Sequence, residues 1–478
     1  MKIIDRVLSK LGYSRESGVL SALRAAYVAA NNNRHREKHW GDVTSTDADS
    51  DMASCQKIIR ERSRFEMRNN SYARGVSKIG ANFVIGDGPR IQMKTDDEIF
   101  NEKFENDFHT WSLAADAANK MCLADMLNLG EQQLYPCGEY FLIKSNSTDK
   151  SRITDVELRY RMIEPDRIDT PDSMTSDDMV RNGVRINENG AAEIFYVLKY
   201  HPGRGISDRS HAEFSASDVI HEAIIIRPEQ TRGEPILSAA LPLFADFRRF
   251  SSATLGAAEA AALFAVLLET QAFDNETVAP QIFDIEPGTI GVMPPGCKTS
   301  QIKPEHPSTT FPMFKREFLS EVGAGAGMPY NVVAMDSSSH SYASGRIDWQ
   351  AFHQSIIVRR NHIKVNVLSR IVGDFLDEWL RINPQADETA RQAYYKFGVL
   401  WPGLPHIDPA KEANAVATQW GMGATTLEDE WAKKGYDFRP KLAQWKKERE
   451  MLGFVDRADS SADNGTNNDI DDEDKDDE

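Results

Sequence analysis

The first third of the chain combines helical and extended patterns of hydrophobic residues. From about Asp51, apolar residues recur at helical spacing, which predicts an amphipathic helix interrupted by the polar turn 69–72. Helical patterns also cover residues 97–111 and 120–135, whereas residues 83–94 predict two short strands. The chain up to about residue 135 is therefore expected to be mainly helical.

β-branched and aromatic residues cluster between turns from residue 139 onward. Four segments have this composition and are predicted to contain strands, namely 139–145, 155–165, 183–202 and 218–226. Within the third, Asn187–Gly190 has the composition of a hairpin turn. Helices followed by hairpin-connected strands predict an α+β fold.

The second half is predicted to be mostly helical around a proline-rich interruption. A helix is expected from residue 232 to about Glu269. The next segment, 273–306, contains several prolines, which exclude a helix there. A second helix is expected from about Thr309 to Val322, stopping at the glycine run 323–327.

Two further helical regions follow. A third long helix is expected from about Ser344 to Arg381. Residues 408–452 then predict two helices joined by a turn, because Asp408 precedes a proline at the first helical position and Thr426 begins a capping-box sequence.

A small, polar segment separates the second and third helices. Its sequence, 336-DSSSHSYASGR-346, contains five serines within eight positions. Glycines at positions 327 and 345 flank the segment, which predicts a mobile loop.

Composition narrows the class of protein. Apolar residues make up 41% and charged residues 27% of the 478 positions, as in soluble proteins with a hydrophobic core. Four cysteines lie apart without CxxC spacing, which fits a reducing cytoplasm and argues against a disulfide framework or a zinc site. The alanine-rich segment 250–269 contains Glu259 and is interpreted as a buried soluble helix, not a membrane span.

The charge is strongly acidic. Of the net charge of −17, the terminal segment Asp456–Glu478 contributes −9, from eleven acidic and two basic residues, which leaves −8 for the rest. Proteins that grip duplex DNA by releasing counterions carry a basic excess. Any contact with DNA is therefore expected to be loose or limited to local basic rows.

No catalytic or metal-binding arrangement follows from residue types and spacing. Asp336, Ser338 and His340 lie close together but lack the strained elbow and the oxyanion donors of a serine hydrolase. The glycine run lacks the Lys-Ser/Thr of a phosphate loop. Three histidines spaced ten residues apart have no carboxylate partner at helical spacing: His201, His211 and His221. We therefore expect no enzymatic activity, no cofactor and no metal.

The order helix, proline-rich insert, helix is typical of a strut that carries the insert away from the main body. Small residues within 253–265 allow helices to approach closely. A ring of identical subunits would stack such struts side by side. The pattern alone is equally compatible with an internal helix pair of a single globular domain.

Four segments, in this order, resemble the lambda-type portal proteins, the head–tail connectors of tailed bacteriophages. They are 60–92, 226–269, 323–354 and 406–438. The resemblance implies a portal fold with a mixed α/β wing, a two-helix stem, a small β-containing clip, a tunnel loop with a long helix, and a helical crown. The implied order is an N-terminal arm, partly disordered (1–54), wing (55–231), first stem helix (232–272), clip (273–306), second stem helix (307–326), tunnel loop (327–345), long helix with a return to the wing (346–405), crown (406–455) and an acidic disordered tail (456–478).

The resemblance further implies a non-enzymatic ring, typically of twelve identical subunits, at one capsid vertex of a virion that is assembled in the host bacterial cytoplasm. Its implied partners are the terminase large subunit, head-completion or adaptor proteins, the major capsid and scaffold proteins, and double-stranded DNA that passes through the channel without sequence specificity. No membrane contact is implied. Two other hypotheses stay open: a monomeric serine hydrolase that uses the serine-rich loop, and a cytoplasmic scaffold or adaptor unrelated to phages.

The resemblance also assigns candidate residues. Those expected to line the DNA channel are Asp336, Ser337, Ser338, Ser339, His340, Ser341, Tyr342, Ser344 and Arg346. Those expected on the clip, facing terminase or an adaptor, are Glu286, Pro287, Gly288, Met293, Pro294, Pro295 and Lys298. Small hydroxyls offer phosphates transient contacts without charge. Arg346 and Arg359 on the following helix would either face DNA as local rings or form salt bridges between subunits.

Overall fold

The architecture is that of a computed structural model, which describes residues 45–146, 153–262, 266–270, 297–301, 310–338, 341–386, 389, 392–394, 396–403 and 409–452. Its contacts divide the chain into two compact units, Met1–Asp51 and Met52–Glu478. Apart from the first turn of the first helix, every described helix and strand belongs to the second unit.

Helices make up most of the described chain. In chain order they are α1 (Ala48–Asn69), α2 (Ser71–Ile85), α3 (Glu98–Ser112), α4 (Leu123–Cys137), α5 (Leu241–Ala262), α6 (Thr310–Ala326), α7 (Tyr330–Ala334), α8 (Tyr342–Ile363), α9 (Ser369–Ile382), α10 (Pro409–Gly421), α11 (Leu427–Lys433) and α12 (Phe438–Met451). A π-helical turn, Lys364–Leu368, joins α8 to α9 without a break. Among the described helices, none is both long and apolar enough to cross a membrane.

The strands form small antiparallel sheets. They are β1 (Arg90–Met93), β2 (Glu139–Asn146), β3 (Leu158–Ile163), β4 (Val180–Arg181), β5 (Val184–Ile186), β6 (Ala192–Leu198), β7 (His211–Ser215), β8 (Val219–Ala223), β9 (Val266–Thr270), β10 (Cys297–Gln301) and β11 (Phe397–Leu400). The sheet orders are β3-β2-β8, β4-β5-β6-β7, β9-β10 and β1-β11. The last pair places Arg90 opposite Leu400 and so brings the chain after α9 back to its beginning.

An aromatic ladder forms the centre of the largest hydrophobic core. Phe100, Phe104 and Phe108 recur every four residues on one face of α3 and are buried. They interleave with aromatic side chains of α9, and the ring centroids of Phe104 and Phe375 lie 5.3 Å apart. Burial of each such side chain contributes about 2 kcal/mol, so this contact fixes α9 against α3.

Two smaller cores serve the rest of the unit. The second lies among α2, α5, α6, α7 and α8 and contains Phe244, Phe318 and Phe352. The third lies between the sheets β3-β2-β8 and β4-β5-β6-β7 and contains Phe141 and Phe195. Since α8 reaches into the second core and α9 into the first, the continuous helix α8–α9 connects two separate cores.

A buried cluster of charges joins segments that are far apart in sequence. Glu139, at the start of β2, is fully buried and is contacted by Arg60 of α1. The Nε and Nη2 atoms of Arg232 also donate to its carboxylate, at 2.7–3.0 Å. The Nε2 atom of His221 lies 2.9 Å from it, and the backbone N–H of Gly233 donates to it at 3.0 Å. Burial raises the pKa of Glu139, but Arg232, Arg60 and His221 outweigh that effect and hold the pKa well below its usual range.

The first stem helix predicted from residue 232 begins later than expected. Helix α5 begins at Leu241, after a short 3₁₀ turn at Ser238–Ala240, and ends at Ala262, after which β9 follows. The prediction of one helix from 232 to about 269 was therefore wrong. Arg232 and Gly233 lie before the helix and bind Glu139. Pro242 is accommodated only because it lies in the first turn of α5.

Other predicted boundaries also need correction. Residues 83–85 belong to α2, not to a strand, and only Arg90–Met93 is extended. Helix α1 starts at Ala48, inside the segment predicted as the arm, while residues 1–44 lie outside the described residues. The segment 409–452 contains three helices instead of two, with Thr426 capping α11 as predicted.

Candidate channel segment

The serine-rich segment follows a tightly packed junction between α6 and α7. Helix α6 continues through Gly323 and Gly325 and ends only before Gly327, whose φ of +68° favours glycine. The prediction that the glycine run stops the helix after Val322 was therefore wrong. Met328 is buried, and its backbone N–H donates to the carbonyl of Gly323 at 2.8 Å, so the chain folds back onto the end of α6.

Gly323 is needed for this junction because a side chain would collide with the backbone. A Cβ atom at Gly323 would lie 2.5 Å from the carbonyl oxygen of Met328, whereas one at Gly325 would meet nothing within 4 Å. We expect Gly323→Ala to lower the free energy of unfolding by about 2 kcal/mol, as overpacking does elsewhere. Thermal unfolding followed by circular dichroism measures this change.

Gly325→Ala is the matched control for the junction. It adds the same methyl group to the same helix, where alanine is favoured over glycine by about 0.5 kcal/mol. It should therefore leave stability unchanged or slightly higher. Equal destabilisation by the two substitutions would contradict the role of Gly323.

The segment predicted as one loop, 327–345, is shorter than expected. Helix α7 occupies Tyr330–Ala334 and α8 already begins at Tyr342, so the described non-helical part is limited to residues 327–329, 335–338 and 341. Met335 turns the chain with φ +53° and is 77% exposed. Ser339 and His340 lie outside the described residues.

Local hydrogen bonds hold both sides of this turn. The Asp336 carboxylate accepts the backbone N–H of Ser338 at 2.9 Å, and these Ser338 hydrogen bonds hold the pKa of Asp336 below its ordinary value. Ser341 caps α8: its hydroxyl accepts the backbone N–H of Ser344 at 3.2 Å, while the Ser344 hydroxyl accepts from the backbone N–H of Ser341 at 3.0 Å. Ser337 is exposed.

This geometry offers no nucleophile in the described part of the segment. The oxygens of Ser341 and Ser344 bond to each other at 3.1 Å, and Asp336 bonds to Ser338, so in the described residues no serine of this turn is hydrogen-bonded to a histidine. A serine nucleophile requires such a base within hydrogen-bond reach.

Two exposed side chains begin the helix behind the turn. Tyr342 is 54% exposed, and the ammonium group of Lys411 in α10 lies 5.7 Å from the centre of its ring. Arg346, one turn further on, is exposed and forms no ion pair within the described part of the chain.

Arg359 is in a different position from the one expected. Its guanidinium binds Glu131 of α4 at 2.7 and 2.9 Å and Glu222 of β8 at 2.7 Å, and His362 contacts the same Glu222 at 2.9 Å. Both carboxylates are buried, and all four residues belong to one chain. Arg359 is therefore engaged within its own chain, and the two roles expected for it, a DNA-facing ring or a salt bridge between subunits, stay predictions.

The two carboxylates of this cluster are shifted in opposite directions, since burial raises the pKa of Glu131 in spite of the charge of Arg359. Burial raises the pKa of Glu222, but hydrogen bonds and charges from His362 and Arg359 outweigh it and lower the pKa below its ordinary value. Neighbouring arginines of the same long helix also bind within the unit. Arg360 donates to the carbonyls of Phe83 and Val84 at 3.0 and 2.8 Å.

One group of possible metal ligands exists among the described residues: Glu164, Asp166 and His201. The backbone N–H of Gly203 donates to Nδ1 of His201 at 3.0 Å, so a neutral ring carries its proton on Nε2, which lies 2.8 Å from a Glu164 oxygen. A metal would need the lone pair of that same nitrogen. Arg64 already binds Asp166, so these residues form a hydrogen-bonded cluster and do not fit a metal.

Most of the residues predicted on the clip lie outside the part of the chain that the structure describes. Glu286, Pro287, Gly288, Met293, Pro294 and Pro295 lie outside the described residues. Lys298 is in β10, in register with Glu269 of β9, so the two described ends of the clip region form an antiparallel pair.

Sequence reasoning missed the acidic residues that organise the unit. Glu139 and Glu222 are buried beside apolar residues of β2 and β8, and Glu131 lies on the buried face of α4. A single charge within such a pattern was a usable signal, because a buried carboxylate requires a partner. Their partners are 79 to 228 residues away in sequence, so spacing could not have identified them.

Comparison with known proteins supplies the family. The family model for "Phage portal protein, lambda family" matches residues 33–360, more than half of the chain. The probable portal protein of Halomonas phage phiHAP-1 is 23% identical over 450 residues, covering 87% of this chain and 84% of that protein. Portal protein B of Escherichia phage lambda is 21% identical over 450 residues, covering 82% and 84%.

The solved structures to which the chain is similar are more distant in sequence. A chain from the virion of a native gene transfer agent particle shares 13% identity, covers 86% of this chain and 98% of its own, and has a TM-score of 0.42. An HK97-family phage portal protein from Corynebacterium diphtheriae shares 13% identity, covers 61% and 85%, and has a TM-score of 0.32. With the family model matched across the wing-like domains, the α5–α6 helices and the serine-rich segment, the chain belongs to the lambda family of phage portal proteins.

Proposed function

We propose that the chain is the subunit of a portal ring at one capsid vertex, through which double-stranded DNA enters during packaging and leaves at ejection. The observation that carries this proposal is the match of residues 33–360 to the lambda portal family. A family of structural ring proteins needs no catalytic machinery, in agreement with the proposal that this chain is not an enzyme.

We assign the parts of the ring by analogy with the portal plan. The wing would comprise α1–α4 with the sheets β3-β2-β8 and β4-β5-β6-β7, and the stem would comprise α5 and α6. The clip would lie between them, at 273–306. The crown would comprise α10–α12. On this plan the clip would meet the terminase large subunit and then adaptor proteins, and the outer parts would meet capsid and scaffold proteins.

The turn between α7 and α8 would line the channel. Its described residues carry hydroxyls and few charges, and the one carboxylate, Asp336, is engaged by its neighbour Ser338. Such a surface makes transient contacts with phosphates without retaining them. Arg359, on the helix behind the turn, is held by Glu131 and Glu222 and is therefore not free to bind phosphate strongly.

The rigid support for this turn also fits a conduit. Ser341 fixes the start of α8, and Met328 fixes the end of α6, so the turn is short and held at both ends. Arg346 is the exposed base near it and would be the residue that meets the phosphates first. A net charge of −17 further disfavours retention of DNA by the rest of the chain.

Electron microscopy of the purified full-length chain tests the proposal. Negative-stain images should show closed rings with a central hole, and the symmetry of the averaged images gives the number of subunits, for which we expect twelve. Light scattering after size-exclusion chromatography is the independent measure of mass. A stable monomer at micromolar concentration, without rings, would favour the scaffold or adaptor hypothesis instead.

A further inference from the structure

Helix α12 is a local exception to the acidic character of the chain. Its fourteen residues include five basic and two acidic side chains, a net charge of +3 in a chain of −17. No residue of α12 is buried, so the hydrophobic cores do not account for its sequence. Trp445 is 48% exposed, and the guanidinium of Arg449 lies 4.8 Å from its ring centre.

The basic residues of α12 are unequally engaged. Arg439 lies 3.5 Å from Glu98, and the ammonium group of Lys441 lies 4.5 Å from the ring centre of Tyr436. Lys446 and Lys447 are exposed and form no ion pair within the described residues. Arg439, Lys446 and Lys447 follow one side of the helix, together with Glu450, which leaves that side with a net charge of +2.

The most acidic segment of the chain follows this helix directly. Three residues separate Leu452 from the acidic tail, which we define as Asp456–Glu478 and which carries −9. Its 23 residues can extend over about 75 Å, whereas α12 is only about 21 Å long. The tail is therefore long enough to return along the whole helix.

We propose that the acidic tail docks on the basic side of α12 of its own chain, centred on Lys446 and Lys447, and shields it from other polyanions. Charge complementarity selects the tail as the occupant. Because tail and helix are joined by three residues, the tail meets the helix at an effective concentration on the order of millimolar. Duplex DNA would have to displace a tethered competitor that has the same sign of charge.

The proposal gives a role to the acidic tail, which lies beyond the portal family match because that match ends at residue 360. The inference concerns one chain and holds whether or not the chains close into a ring. Its consequence for a conduit is that the basic side of α12 would not retain DNA.

Carbodiimide crosslinking of the full-length chain tests this docking. The reagent joins a carboxylate directly to a lysine only when the two are in contact, and mass spectrometry identifies the linked peptides. We expect links from Glu473 and Glu478 to Lys446 and Lys447. These links should be lost at about 1 M salt, where charges are screened beyond about 3 Å.

A neutralised tail distinguishes docking from simple proximity in sequence. In the variant D471N/D472N/D474N/D476N/D477N, the tether is unchanged and Glu473 and Glu478 remain as reporters. We expect links to Lys446 and Lys447 to fall about tenfold, because five surface attractions are removed. Equal linking by the two chains, or no links between tail and α12, would overturn the proposal and leave the helix to another occupant, such as duplex DNA or a second copy.

Discussion

Replacing Glu139 by alanine should destabilise the second unit by about 3–5 kcal/mol, the usual effect of leaving a buried charge without its partner. Arg60 and Arg232 would both stay buried without a carboxylate, and the N–H of Gly233 would lose its acceptor. A lower midpoint of thermal unfolding and a lower soluble yield are the expected measurements.

An exposed ion pair provides the control for Glu139. Arg249 and Asp246 lie 3.1 Å apart on α5 with side chains 83% and 65% exposed, so Arg249→Ala should change stability by less than about 0.5 kcal/mol. If Arg249→Ala cost as much as Glu139→Ala, burial would not be the source of the effect.

The stability of the chain at acid pH should depend on the same buried cluster around Glu139. The pKa of Glu139 is depressed in the folded chain, so its contribution is present above its unfolded pKa and is lost as the pH falls toward the folded value. Unfolding of the native chain should therefore become easier with acidification below about pH 4.5. In Glu139→Ala this part of the pH dependence should disappear.

Replacing Arg359 by alanine should cost about 3 kcal/mol, because it leaves Glu131 and Glu222 buried without their shared cation. Arg346→Ala, four turns earlier on the same helix, should leave the unfolding midpoint unchanged, since Arg346 is exposed. Circular dichroism of the two variants at pH 7 measures the difference. If both substitutions had similarly small effects, Arg359 would not be a buried structural residue, and a role in facing DNA or in binding another subunit would be favoured.

Local chemistry explains which parts of the fold could be predicted. Hydrophobic spacing located α3, α4 and the strands β2, β3, β6 and β8, and Asn70 and Thr426 act as the caps and turns that their residue types favour. Boundaries failed where a long-range contact decided them. Arg232 is drawn out of the expected stem helix by Glu139, and the carbonyl of Gly323 near the end of α6 accepts the backbone N–H of Met328.

The candidate site was predictable as a segment but not as a set of contacts. The run of small polar residues was visible in the sequence, and family resemblance placed it in the expected order. The contacts of each arginine could not be predicted from the sequence, because Arg346 and Arg359 have the same residue type and lie on the same helix. Only the fold distinguishes them, by bringing β8 and α4 against one and not the other.

The π-helical turn Lys364–Leu368 fixes the length of the rod formed by α8 and α9. A π turn accommodates one extra residue, which rotates everything after it by about 100° relative to a regular helix. Phe352, before this turn, lies in one core and Phe375, after it, lies in another. Both ends of the rod are therefore fixed by packing. Insertion or deletion of a single residue on either side of the π turn would require one whole core to repack if the other core is to keep its register.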